Sequence, residues 1–101
     1  MTEGVPAGRA AWAIPPGART EWLRLAEVLA AAGSAPCEEN DPEMWWPASK
    51  RAPDPVAIAG CEVCPARAEC LAYAVAADER EGLWGGLSRV ERVALPDAVA
   101  A

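Results

Sequence analysis

Residues 61–70 read Cys61-Glu62-Val63-Cys64-Pro65-Ala66-Arg67-Ala68-Glu69-Cys70, and with Cys37 they hold every cysteine of the 101-residue chain. The pattern, C-x23-C-x2-C-x5-C, is one four-ligand set and not two knuckles, because only Cys61 and Cys64 lie close together in sequence. Pro65 reads as the start of a helix, and the six steps from Cys64 to Cys70 then rise about 9 Å. A single zinc, with bonds of about 2.3 Å, draws its sulfurs to within roughly 4 Å of one another, so this spacing is tight for one ion. A cubane iron–sulfur cluster presents separate irons at its corners and takes such spacing more easily. The residues alone leave three readings in order: an iron–sulfur cluster, a structural zinc, and disulfides or redox thiols.

The rest of the chain explains why such a staple is needed. Of the 52% hydrophobic residues, 24 are alanine; there are two Ile, no Phe and one Tyr, so five Trp, seven Leu and eight Val are the main fillers. One small domain fits this length, and burial alone is a weak basis for a unique fold. The absence of histidine removes Ser-His and Cys-His catalysis and every His-ligated metal. Nine basic against fifteen acidic residues give a net charge of −6, which opposes unaided grip on nucleic acid. No apolar run is long enough to span a membrane, and no signal-peptide core or lipidation motif is recognisable, so a cytoplasmic location is expected.

Residues 1–19, rich in Pro and Gly, read as a flexible N-terminal arm carrying Trp12. Residues 20–95 read as the working domain, and 96–101 as a short tail without basic residues. A helix is expected from Thr20 as N-cap, with Trp22, Leu25, Ala26 and Leu29 on one face and Gly33 as the stop. Cys37 is placed in a loop. Asp41-Pro42-Glu43 opens a short turn through Trp45 and Trp46 to Pro47, and Asp54-Pro55 opens a helix that stops at Gly60-Cys61. Cys64, as N-cap before Pro65, begins a helix over Ala66 to about Asp78, with Cys70, Tyr73, Ala74 and Ala77 on one face. Gly82-Leu83-Trp84-Gly85-Gly86 reads as a turn around one aromatic anchor, and Ser88 with Glu91 as a capping box for a last helix limited by Pro96. No strand is expected, so the fold class is all-α, four to five short helices around the cysteines. The double Trp reads equally as core or as partner surface, and the Gly-Trp turn equally as a loop over a buried ring.

In order along the chain, Cys37, Asp41-Pro42-Glu43-Met44-Trp45-Trp46-Pro47, the Cys61–Cys70 segment with Leu71-Ala72-Tyr73-Ala74, and Gly82-Leu83-Trp84-Gly85-Gly86-Leu87-Ser88 resemble the WhiB-like (Wbl) family of actinobacteria and their phages. The likeness covers roughly residues 22–91. It implies a small helical protein around one oxygen- and nitric-oxide-sensitive 4Fe-4S cluster held by Cys37, Cys61, Cys64 and Cys70. It also implies a transcriptional regulator that docks on region 4 of the primary sigma factor in RNA polymerase. Carried over by position, the partner-binding residues would be Trp45, Trp46, Pro47, Gly82, Leu83, Trp84, Gly85 and Gly86. The family usually follows the turn with a basic tail that contacts DNA; here residues 87–101 carry Arg89 and Arg92 against Glu91 and Asp97, net zero. At most Arg89 and Arg92 are then expected to touch phosphate, with DNA reached mainly through the complex. No small-molecule substrate and no membrane partner is implied.

Two other functions compete with this reading. A protein disulfide reductase would work through Cys61 and Cys64 in the cluster-free form, although CxxC chemistry usually sits on a strand-containing thioredoxin-like scaffold. A structural zinc module that binds protein would be colourless after anaerobic purification, whereas a cluster protein would be brown with acid-labile sulfide.

Overall fold

Two prolines set the direction of the chain before its first long helix. In the computed structural model, which describes residues 14–47 and 52–96, a 3-10 turn at Pro16–Ala18 feeds directly into α1, Arg19–Ala32. The helix therefore begins at Arg19, with Ala18 as N-cap, and Thr20 lies inside its first turn instead of capping it. Proline at the first position of the turn presets the backbone and makes a side-chain cap unnecessary. Ala18 is fully buried and Ile14 packs on the same core, so packing reaches back into the stretch read as an arm; Trp12 lies outside the described residues.

Trp22, Leu25 and Leu29 form the buried stripe of α1, and Gly33 ends the helix at φ 91° with its N–H bonded to the Leu29 carbonyl at 3.0 Å. That stripe packs on α4, Arg67–Ala77, whose buried residues are Tyr73 and Ala74. Trp22 meets Tyr73 edge-on with centroids 5.5 Å apart, and Tyr73 meets Trp84 at 5.4 Å, so three rings carry much of a core that alanines cannot fill. The Tyr73 hydroxyl donates to Glu79 at 2.9 Å, which accounts for a carboxylate only 6% exposed.

Between these two long helices run the shorter elements. Cys37 sits on a one-turn helix, α2 (Pro36–Glu39), and not in a loop; Pro36 begins it and Glu38 accepts from the Ala35 N–H at 2.8 Å. The 3-10 turn Pro42–Trp45 follows, capped by Asp41 as its sequence predicts. Helix α3, Pro55–Val63, is capped by Asp54 and continues past Gly60 to Val63, because this glycine faces Pro36 and the Trp45 ring instead of turning the chain. Cys64 therefore closes α3 and does not cap α4, whose N-cap is Ala66. The proline after Cys64 holds it extended (φ −70°, ψ 129°), and its carbonyl accepts from the Arg67 N–H at 3.2 Å. Helix α5, Arg89–Val93, carries the expected Ser88–Glu91 capping box. Every regular element among the described residues is helical, with a single isolated bridge between Trp84 and Leu87. No helix among them is long and apolar enough to cross a membrane.

Candidate metal centre

Three separate segments bring their cysteines to one cavity. Cys37 comes from α2, Cys61 from the last turn of α3, Cys64 from its C-cap and Cys70 from the first half of α4; all four line the cavity with Pro36, Trp45, Gly60, Arg67, Leu83 and Gly85. The cavity is about 40 Å3, inside atom-free space of about 310 Å3 that includes its open mouth. Beside the thiols its walls are the apolar Pro36, Trp45 and Leu83 with Gly60 and Gly85, and Arg67 is the one charged residue among them.

Burial pushes the Cys37 thiol up to about 11, with the negative charges of Glu38, Cys64 and Cys61 adding to the effect. Burial likewise raises Cys64, opposed by the Ala66 backbone N–H, and raises Cys70 further, opposed by the Gly85 backbone N–H. Each of these thiols feels the charge of its fellow cysteines, as groups around one space must. Four thiolates are intolerable there without a cation, so metal binding must displace protons. Burial thus moves the Cys64 thiol in the direction opposite to that of reactive CxxC thiols, which are lowered.

Among the described residues no three or more His, Cys, Asp or Glu side chains converge tightly enough to hold a single ion. The donor set that lines this one cavity, four soft sulfurs, fits a thiolate-held metal group, an iron–sulfur cluster or a structural zinc.

The glycine turn forms one wall of the same site. Gly85 and Gly86, at φ 61° and 85°, give the two positive dihedrals of a type I′ turn, and Trp84 and Leu87 exchange both backbone hydrogen bonds at 3.1 Å. Besides the Gly85 N–H at the Cys70 thiol, the turn is tied to the cavity in two places. Arg67 Nε donates to the Gly85 carbonyl at 3.2 Å, and the Leu83 N–H donates to the Trp45 carbonyl at 2.7 Å.

The aromatic candidates are mostly interior. Trp45 (4% exposed) and Trp84 (3%) are buried with Leu83, Gly85 and Gly86, while Trp46, Pro47 and Gly82 are half-buried. Trp46 stands edge-on to Trp84 with centroids 6.0 Å apart and covers Gly82. The buried members therefore set the shape of the turn, and the half-buried three are its accessible part.

The arginines expected on phosphate are also engaged. Arg92 is 5% exposed and donates to the carbonyls of Leu87 (2.7 Å), Glu79 (2.8 Å) and Gly82 (3.2 Å), so its guanidinium is turned onto the backbone and little of it faces solvent. Burial lowers its pKa, with Arg89 adding to the effect, while the negative charges of Cys70, Glu79 and Asp78 oppose it. Arg89 pairs with the Asp78 carboxylate at the end of α4 and is only partly free. Sequence reasoning missed the structural role of Arg92; the one available signal was a capping box that places it on the inner face of a very short helix.

Residues 32–95 match the sequence family described as Transcription factor WhiB, a span that contains all four cysteines and the turn. The chain is 47% identical over 72 residues to Transcriptional regulator WhiB of Streptomyces coelicolor, covering 71% of this chain and 82% of that protein. It is 42% identical over 82 residues to Transcriptional regulator WhiB2 of Mycobacterium tuberculosis, 78% of each chain, and 38% identical over 65 residues to Transcriptional regulator WhiB1 of the same organism, 60% of this chain and 77% of the relative.

Proposed function

The chain belongs to the WhiB family of transcription factors, and from that premise we propose that it regulates transcription as a 4Fe-4S protein docked on region 4 of the primary sigma factor. The observation that carries this reading is the joining of four thiols to the glycine turn in one wall-sharing site. Cys37, Cys61, Cys64 and Cys70 would hold the cluster, which supplies a redox- and nitric-oxide-reactive cross-link between three chain segments. Loss of that cross-link from a core with few large side chains would loosen the turn that meets the partner, so the same group serves as staple and sensor. The accessible part of the docking face is Trp46, Pro47 and Gly82, backed by Trp45, Leu83, Trp84, Gly85 and Gly86. An acidic body suits a partner domain that is itself basic enough to bind DNA.

Residues 20–95 form the working domain in this reading, with Ile14 and Ala18 packed onto its core, and the flanking sequence holds no basic cluster. With Arg92 buried and Arg89 paired to Asp78, independent DNA binding is weak or absent, and RNA polymerase brings the protein to promoters. Its place would be the cytoplasm, on the nucleoid through the polymerase.

Anaerobic co-expression with the sigma factor's C-terminal domain tests the reading. The pair is expected to co-purify as a brown complex containing iron and acid-labile sulfide. Separation of the two with the cluster intact overturns the partner, and a colourless zinc protein overturns the cofactor. A tight sequence-specific gel shift by the protein alone overturns the weak DNA binding.

A further inference from the structure

One residue touches both halves of the site. The indole Nε1–H of Trp45 donates to Cys61 Sγ at 3.2 Å, and both residues are buried, 4% and 8% exposed. An indole N–H is a donor only, and burying it unpaired is costly, so the sulfur is a partner the fold requires and not an incidental neighbour. The ring is held in place by its surroundings: a Cβ on Gly60 would lie 3.1 Å from the Trp45 ring and 3.1 Å from Pro36. Trp45 is thus fixed against the residue before Cys61 and near the one before Cys37. On its other side the Trp45 carbonyl takes the Leu83 N–H at 2.7 Å, the first residue beyond Gly82 in the turn.

Resting on the proposed function for what Cys61 binds, we propose that Trp45 is a positioning residue that couples the ligand sulfur of Cys61 to the glycine turn, through its indole on one side and its backbone carbonyl on the other. The positive end of the N–H dipole points at a sulfur whose negative charge grows on reduction. It therefore favours the reduced state and raises the reduction potential of the bound group. The same bond fixes the ring, and with it the carbonyl that holds Leu83. A change in charge or bonding at Cys61 then reaches the turn in two steps, without unfolding of the domain.

The test compares anaerobically purified full-length protein with two variants: Trp45→Phe, and a form carrying β-(3-benzothienyl)alanine at position 45. The second keeps the shape of the indole with sulfur in place of the N–H, so it isolates the hydrogen bond from packing. Iron and sulfide content first show whether the site loads, which judges the proposed function separately. In loaded protein, the benzothienyl form is expected to have a more negative reduction potential than wild type and severalfold faster hydrogen exchange in the peptide containing Leu83. Trp45→Phe should move both further in the same direction. Equal potential and equal exchange in wild type and the benzothienyl form overturn the proposal. A lowered potential with unchanged Leu83 exchange overturns the coupling as well, leaving only a donor to sulfur. If the chain does not load, the exchange comparison on the metal-free protein decides, and equal rates there overturn the coupling.

Discussion

A buried guanidinium bonded to three backbone carbonyls is an unusual use of charge in so small a chain. Arg92 spans from Glu79, just past the end of α4, to Gly82 and Leu87 on either side of the turn, so one side chain closes the loop from 79 to 87. Each hydrogen bond from a charged donor is worth about 1.5–3 kcal/mol, and a carbonyl left buried without a partner costs about 1–3 kcal/mol. Arg92→Met is accordingly expected to destabilise the domain by about 2–4 kcal/mol, read from urea unfolding of the loaded protein. Arg92→Lys should recover only part of that, because an ammonium cannot reproduce the planar fork that reaches carbonyls in different directions. If Arg92→Met unfolds at the wild-type urea concentration, the guanidinium contributes nothing to holding the loop. Little of this was visible in the sequence, where Arg92 reads as a surface base on a short helix; its burial depends on carbonyls supplied by residues five to thirteen positions away.

At the scale of elements, what was legible was what is locally encoded. Asp41-Pro42 and Asp54-Pro55 start helical turns because an acceptor side chain and a fixed φ act within two residues, and Asp54 indeed accepts from the Val56 N–H at 2.8 Å. The Ser88 capping box and the positive dihedrals of the Gly-Trp turn follow from equally short-range physics. Boundaries set by tertiary packing were not legible: α3 runs through Gly60 because Trp45 and Pro36 lie against it, and Cys37 is helical because Pro36 and Glu38 close a single turn around it. The cysteine set could be read as a set, yet the hydrogen bonds that join it to the turn could not, since they connect residues sixteen to thirty-eight apart. The turn itself offers a sharp test of packing against conformation. A Cβ on Gly85 would stand 2.7 Å from the Leu71 Cβ and 2.9 Å from the Arg67 carbonyl oxygen, with φ at +61°. Left-handed backbone alone costs alanine about 1–2 kcal/mol, and the contacts with Leu71 and the helix backbone add to it. Gly85→Ala should therefore destabilise by at least about 2 kcal/mol and displace the wall of the cysteine cavity. Gly17→Ala, where nothing lies within 4 Å, should leave stability unchanged or raise it by about 0.4–1 kcal/mol. Thermal unfolding of both variants decides it, and a Gly85→Ala protein as stable as Gly17→Ala would contradict the close packing of the turn on α4.

Taken as one molecule, the domain relies on few large side chains: among the described residues Trp22, Leu25, Leu29, Trp45, Tyr73, Leu83 and Trp84 are buried, with alanines and Cys61 packed between them. Its cysteines are consequently part of the core as well as candidate ligands, and their protonation enters the stability of the metal-free chain. Burial raises Cys37 from 9.0 to about 11 and raises Cys64 and Cys70 too, so the folded state binds these protons more tightly than the unfolded one. A raised thiol contributes stability that is fully present below its unfolded value and is lost as pH climbs through the folded value. The metal-free protein should thus be most stable near neutrality and weaken steadily between about pH 9 and about pH 11. With the proposed cluster bound, the thiolates would already be formed and ligated, so alkaline pH should remove much less stability, whereas acid should release the metal by protonating its ligands. Urea unfolding at about pH 7 and about pH 10.5, with and without metal, measures the difference. Cys37→Ala supplies the control, since removing one raised thiol should flatten the alkaline loss of the metal-free chain. An equal midpoint at the two pH values in metal-free wild type would mean that the thiols are solvated in the fold, and that the cysteine cavity is not a buried part of the core.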